Sequence, residues 1–336
     1  MKKSFFLFLQ IFLLFLCGCR NSEQKSATTV FSSNIMTIDY RIIIGRSLNN
    51  DEKKQVEAII NSTFDEGNKI FNKWNPDSEL SQLNKMKAGE TRPLSPQLYQ
   101  LLKQTQEIVE ISGGLFDPTI EPLQELWKSY LNKGQEPPQY AINEILPEIG
   151  WNHIHFEKGI FFKDNDHTAL DLGGIAKGYI VDLLADRLKN SGYPDVFVEW
   201  GGEIRTTGKH PDNRDWNVFI SNEGDVDPDH AVAIVTLKDQ AIATSGDYNQ
   251  YWTIGDSVVG EPVVYFHIIN PKTHRPLQKL DHSISSVSVL ASTCTLADGL
   301  ATTAMMFPTV EEARAWSEQV QQLYPDIVFW FVSHKG

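Results

Sequence analysis

The stretch Asp171 to Asp182, DLGGIAKGYIVD, commits this chain to a tight turn that hands over at once to a helix. The residues before it, His167 to Leu172, alternate and end in the manner of a strand. Ile175, Ala176, Ile180, Val181, Leu184 and Leu188 then recur at helical spacing until Ser191-Gly192 stops the run. Gly173-Gly174 is therefore expected to be a strand-to-helix turn. The start of a helix exposes unpaired N–H groups and carries roughly half a positive charge. Lys177 in the first turn is unfavourable there unless an anion lies between the two, and phosphate is the usual one. A lysine that snorkels into solvent beside a purely structural glycine turn satisfies the same residues. The pattern is neither a P-loop nor a GxGxxG fingerprint, so its meaning has to be read from its company.

The chain opens with Lys2-Lys3 and an apolar run from Phe5 to Leu16, broken only by Gln10. That is shorter than the roughly 20 apolar residues a membrane span needs, and it reads as a signal peptide over residues 1–18. Leu16-Cys17-Gly18-Cys19 resembles a bacterial lipobox, in which the cysteine is acylated and becomes the new N-terminus, so Cys19 is the expected lipidation site. Residues 19–34 then form the lipidated cysteine and a polar, flexible tether. The expectation is a lipoprotein on a bacterial membrane, with its folded domain in the periplasm or otherwise outside the cytoplasmic membrane.

The formal net charge is −13, and losing residues 1–18 removes two lysines and no acid, which makes it −15. An acidic chain is a poor ligand for nucleic acid, whose phosphates need clustered Lys and Arg. Only Cys294 would remain beside Cys19, which excludes an internal disulfide and a cysteine-based zinc site. About 300 residues can hold together by their core alone, burying roughly three-quarters of their surface.

Strands are expected at 36–44, in a pair at about 153–170, and at 195–206, 215–221, 231–243, 263–269, 284–290 and 327–332. Helices are expected at 52–72, 96–112, 119–131, briefly after the Pro-rich loop 135–139, from Gly174, and near 296–306 and 309–322. Mixed order with many hairpin-length turns argues an α+β fold with mixed, largely antiparallel sheets and packed helices, in a single catalytic domain over 35–336.

Asp298 and Thr302 lie four residues apart in LADGLATTAMM, which puts a carboxylate and a hydroxyl on one face of a helix turn, with the carboxylate partly solvated. Oxygen donors at that spacing suit Mg²⁺, although an aspartate near a helix start also stabilises the dipole on its own. In SGGLFDPTIEPLQELW, Asp117 precedes a proline and is extended, and Thr119 is placed to cap the next helix. An aromatic beside an acid on a glycine turn, Phe116-Asp117, could hold a planar ring, and Trp74 in WNPDSELSQLN offers a second stacking surface. ATSGDY, with Asp247, and HIINP, with His267, sit at strand ends, where loops deliver polar groups. HExxH, CxxC, GxSxG, kinase and P-loop signatures are absent from the sequence.

Taken in order, WNPDSELSQLN, SGGLFDPTIEPLQELW, DLGGIAKGYIVD, Gly201-Gly202-Glu203-Ile204, ATSGDY, HIINP and LADGLATTAMM make the chain resemble the ApbE family of flavin transferases across nearly all of residues 36–336. The resemblance implies Mg²⁺-dependent cleavage of the FAD pyrophosphate and transfer of FMN to a Thr or Ser hydroxyl of a partner protein, releasing AMP. It also implies that acceptors include subunits of ion-translocating redox complexes. By position, Gly174 (through its carbonyl), Asp298 and Thr302 would hold Mg²⁺. Met36, Trp74, Leu115, Phe116, Asp117, Asp171, Lys177 and Ile268 would line the FAD site. His267 is the candidate base, with Asp247 as the alternative. The family often has a glycine after the methionine where Thr37 stands, and an acid where Asn270 stands. Two other readings are an Mg²⁺-dependent FAD pyrophosphatase that uses water, and a non-catalytic flavin-binding lipoprotein.

Overall fold

The computed structural model describes residues 28–221, 228–247, 250–255 and 262–334. The signal peptide, Cys19 and most of the expected tether lie outside these residues. In chain order come strands β1 (Thr29–Ile35) and β2 (Ile38–Ile44), helices α1 (Asn50–Ile70) and α2 (Glu79–Asn84), strand β3 (Arg92–Pro93), helices α3 (Pro96–Ile111), α4 (Glu121–Leu131) and α5 (Gln139–Ile145), and strands β4 (Ile154–His155) and β5 (Ile160–Lys163). Helix α6 (Ala176–Asn190) precedes β6 (Val196–Trp200), β7 (Glu203–Thr207), β8 (Trp216–Ile220), β9 (Ala233–Leu237), β10 (Ala241–Gly246), β11 (Tyr251–Ile254), β12 (Val263–Asn270), β13 (Arg275–Gln278) and β14 (Ile284–Ala291). Helices α7 (Cys294–Met305) and α8 (Val310–Leu323) and strand β15 (Val328–Ser333) complete the fold.

The α+β expectation holds. A seven-stranded sheet of order β1-β2-β6-β7-β10-β14-β15 is antiparallel throughout. Side chains alternate across it, as a period of two requires. Ile42, Ile44, Val196, Val198 and Val289 face Val56 and Ile60 of α1, Leu184 of α6 and Ala301 of α7 in the main core. Phe197, Ile242 and Leu290 point the other way, onto Trp216, Val218, Val235 and Leu237 of the β8–β9 ribbon. Each large aliphatic side chain buried this way contributes roughly 1.5–3 kcal/mol. A third cluster packs Trp127 of α4 against Tyr265 and Ile269 of β12, in a separate sheet of order β11-β12-β13.

Helix α1 begins where Asn49 accepts from the N–H groups of Asp51 and Glu52 while the Glu52 carboxylate returns to Asn49 N–H at 2.9 Å. Such a reciprocal cap satisfies orphan donors at both residues. Helix α6 has no side-chain cap of its own. The N–H of Gly178 instead donates to Asp298 Oδ2 of α7 at 3.0 Å. A Cβ at Gly178 would stand 2.4 Å from the Cys294 carbonyl, so the two helices cross closely only because this residue is glycine.

Three expectations are corrected. Residues 29–34 are no tether but most of β1, paired with β2 in register Thr29↔Ile44 to Ile35↔Ile38. As an edge strand β1 is mostly exposed, so its polar composition hid it, although Phe31 and Ile35 pack on the core. His167–Leu172 is not a strand. Thr168, Leu170 and Leu172 are buried in alternation, but the Asn84 side chain takes the place of a neighbouring strand, bonding both Leu170 N–H at 2.8 Å and Leu170 C=O at 2.9 Å. Thr119 does not cap α4. Its hydroxyl donates to Asp117 Oδ1 at 2.6 Å and accepts from Gly150 N–H at 2.7 Å, while Asp117 caps a 3₁₀ turn, Pro118–Ile120, ahead of α4. Among the described residues no helix is long and apolar enough to cross a membrane.

Candidate functional site

A cavity of about 800 Å³ opens where the β1–β2 turn, the ends of α1 and β10, the start of α6, the middle of α7, helix α4 and strand β12 meet. Met36, Trp74, Phe116, Asp117, Asp171, Gly174, Lys177, His267, Ile268, Asp298 and Thr302 all line it. Residues distant in sequence are thus brought to one space by the topology. Leu115 and Asp247 are not among them.

One wall is acidic and hydroxylic. Asp298, 2% exposed, lies in the first turns of α7, and burial pushes its carboxyl up although Lys177 and the Gly178 N–H pull the other way. The partly solvated carboxylate expected from the sequence is therefore a buried one. Thr302 shares a hydrogen bond of 3.1 Å with Ser245 at the end of β10. A Cβ on Gly174 would come within 2.9 Å of the Thr302 methyl and 3.2 Å of the Phe116 ring, so only glycine lets the chain pass here. A carboxylate, a hydroxyl and a main-chain carbonyl are hard oxygen donors, the set that Mg²⁺ accepts when waters and substrate phosphates fill its remaining positions. Among the described residues no cluster of three His, Cys, Asp or Glu side chains offers an alternative metal site.

Lys177 sits in the first turn of α6, as expected, but its anion is supplied by the protein. Its Nζ pairs with Oε1 of Glu203, which is 1% exposed and opens β7. Burial works against the Lys177 charge, yet Glu203 and Asp298 outweigh it and push its pKa up. Burial also raises the Glu203 carboxyl to about 8 against the pull of Lys177, and its second oxygen, Oε2, is buried without a hydrogen-bond partner. The pair therefore leaves an electrostatically costly carboxylate beside a cation that faces the cavity.

A second cation was not singled out in the sequence. Lys73 bonds Asp171 Oδ2 at 3.0 Å, Gln124 at 3.2 Å and Glu121. Burial disfavours its charge, but Asp171 and Glu121 raise its pKa overall. The Glu121 carboxyl is itself driven up to about 7, by burial first and then by Asp171. The one available signal was that Lys73 directly precedes WNPDSELSQLN. Trp74, 68% exposed, is flanked at the mouth by Lys73 and Lys128, at 5.0 and 4.3 Å from its ring. Asp117 lines the cavity with its carboxyl raised by burial.

His267 on β12 faces the cavity with its Nδ1 buried and lacking a hydrogen-bond partner, and burial pushes its pKa below the ordinary 6.5. Asp247 is elsewhere. It is 1% exposed, and its Oδ2 lies 2.8 Å from His334 Nε2, so the structure does not bring this candidate to the cavity. The motif ATSGDY touches the cavity through Thr244, Ser245 and Gly246, while the next residue turns into the interior. Leu115, 4% exposed, is a core residue. Asn270 serves a turn, with Oδ1 accepting from Lys272 and Thr273 N–H and Nδ2 donating to the Met306 carbonyl at 2.7 Å.

The arrangement of sheets and helices around this cavity is also the fold of solved flavin transferases. The Vibrio cholerae flavin transferase ApbE superposes with a TM-score of 0.76 at 30% identity, covering 92% of this chain and 94% of that one. The apo form of the Pseudomonas stutzeri flavinyl transferase ApbE gives 0.78 at 27% identity, covering 92% of each. In sequence, an FAD:protein FMN transferase of Chlamydia pneumoniae is 38% identical over 314 residues, 93% of this chain and 94% of the relative. Residues 36–325 match the ApbE family, and the chain belongs to it.

Proposed function

We propose that the protein transfers FMN from FAD to a Thr or Ser hydroxyl of a partner protein and releases AMP, with Mg²⁺ bound at Gly174, Asp298 and Thr302. The observation that carries this reading is that the oxygen-donor wall, the Lys177 cation and the imidazole of His267, whose Nδ1 is buried without a hydrogen-bond partner, line one cavity. Mg²⁺, when bound, would offset charge on the pyrophosphate that is cleaved.

The chain's own residues account for the remaining steps. Lys177 offers a charge-assisted hydrogen bond to phosphate, of the stronger kind, and Lys73 adds positive charge to the cavity wall. Trp74 and Phe116 offer ring faces to planar groups. The acceptor hydroxyl oxygen forms a bond to the phosphorus of the FMN half, the P–O bond to the AMP phosphate breaks, and AMP leaves with that electron pair. His267, held neutral by burial, takes the hydroxyl proton.

The acceptors we infer are subunits of ion-translocating redox complexes. The protein is further inferred to be a lipoprotein anchored through Cys19, its domain outside the cytoplasmic membrane.

The test is incubation of the purified protein with FAD, Mg²⁺ and a candidate acceptor, followed by denaturing electrophoresis. Flavin fluorescence should stay with the acceptor, vanish with a chelator and vanish when the acceptor hydroxyl residue is replaced. An acceptor that stays dark while FAD is consumed would leave a hydrolase instead.

A further inference from the structure

Lys163 closes β5 with only 1% of its surface exposed. Its Nζ donates to three main-chain carbonyls, those of Thr168 at 2.6 Å, Asn84 at 3.0 Å and Asp166 at 3.1 Å. An ammonium has three donors, so all are matched. None of the three acceptors is a carboxylate, although a buried charge ordinarily pairs with an opposite one. Burial lowers the pKa of this lysine, and Asp166 only partly offsets that. A compact cation ringed by backbone oxygens is instead the arrangement by which carbonyls replace the hydration shell of K⁺.

What those carbonyls belong to gives the cation its role. Asp166 and Thr168 lie in the 164–172 loop, which has no strand ladder of its own. Asn84, the third acceptor, clamps Leu170 through both ends of its amide. The next residue is Asp171, whose N–H donates to the Pro118 carbonyl at 2.7 Å and whose Oδ1 accepts from Gly173 N–H at 2.7 Å. Asp171, Gly173 and Gly174 are cavity wall.

We propose that Lys163 is a positioning residue whose ammonium acts as a tethered monovalent cation, fixing the 164–172 loop so that Asp171 and Gly174 stand where the cavity binds its nucleotide. This rests on FAD as the occupant of the cavity.

The test uses the full chain, Lys163→Met and Lys163→Ala, in KCl, NH₄Cl, LiCl and choline chloride at equal ionic strength. FAD affinity is read by flavin fluorescence, and amide exchange across residues 164–174 is read without FAD. The wild type should be indifferent to the cation. Lys163→Met, which fills the cage without charge, should fold, exchange faster across 164–174 and bind FAD at least about tenfold more weakly, the scale on which supporting groups act on a bound ligand. Lys163→Ala should regain slow exchange and affinity, saturably, with K⁺ or NH₄⁺ and not with Li⁺ or choline. Wild-type exchange and affinity in Lys163→Met, or recovery of Lys163→Ala that does not depend on which cation is present, would overturn the proposal. If Lys163→Ala fails to fold in every salt, Lys163→Met decides. A wild type that binds no FAD refutes the cavity assignment, while the exchange measurement still judges the loop.

Discussion

Oδ2 of Asp298 accepts a hydrogen bond from the backbone N–H of Gly178 at 3.0 Å, so the carboxylate proposed to bind the metal also caps the start of helix α6. In the proposed site one side chain would thus serve two purposes, and two substitutions separate them. Asp298→Ala should lose the cap, at about 0.5–2 kcal/mol, together with Mg²⁺-dependent FAD cleavage. Asp298→Asn keeps the shape and an acceptor oxygen, so it should lose the cleavage with a much smaller drop in melting temperature. A normal Mg²⁺ titration of FAD cleavage in Asp298→Asn would refute the metal assignment.

The base we propose carries its own pH signature. Because burial lowers the His267 pKa, the rate should fall on acidification through an ionisation below the ordinary 6.5. His267→Ala should still bind FAD, lose roughly 10²–10⁴ in rate and show no such acid limb, the range expected for removing one general base. Near wild-type transfer by this variant, measured across pH, would exclude the role.

Glu121 makes stability depend on pH in the opposite sense from a salt-bridged acid of depressed pKa. Its carboxyl is raised from 4.5 to about 7, so the folded protein holds this proton more tightly than the unfolded chain does. Its stabilising contribution is full below 4.5 and is lost as pH rises to about 7. Melting curves taken through that window should therefore decline less steeply for Glu121→Gln than for the wild type. Parallel curves would mean that the Lys73 cluster does not hold the proton.

Asp247, by contrast, is expected to matter for folding rather than chemistry. Asp247→Ala leaves His334 Nε2 without its partner in a buried setting, which costs about 1–3 kcal/mol. Its transfer rate, measured well below the melting range, should stay close to that of the wild type. A stable Asp247→Ala protein that has lost the acid limb of the rate profile would return Asp247 to the chemistry.

Cys19→Ala should release the protein from the membrane fraction and leave its transfer activity intact. Acyl chains bind at about 0.8 kcal/mol per buried CH₂, and two together anchor stably. Retention of Cys19→Ala in washed membranes would refute the anchor.

Much of the fold was legible because periodicity and burial coincide. The stripe Val56, Ile60 and Phe64 of α1 and the short apolar run Val196 to Val198 of β6, buried on both faces, are patterns that a single chain displays openly. Where burial and backbone pairing part company, the sequence misled. Thr168, Leu170 and Leu172 alternate like a strand while their backbone bonds to a side chain 86 residues away in sequence. β1 carries the converse signal, paired along its length but too exposed to look apolar. Cavity residues within motifs were legible as a set. Lys73, Glu121 and the Glu203 partner of Lys177 were not, because a charge shows its meaning only against the charge that the fold brings to it.

The most direct test of the account is the intact mass of a candidate acceptor after incubation with the protein, FAD and Mg²⁺. The account predicts an acceptor heavier by one FMN less the elements of water, with one AMP formed per acceptor modified and neither product made by Asp298→Asn. An unmodified acceptor beside equal amounts of FMN and AMP, made by the wild type and lost in Asp298→Asn, would contradict transfer and leave the same cavity serving hydrolysis.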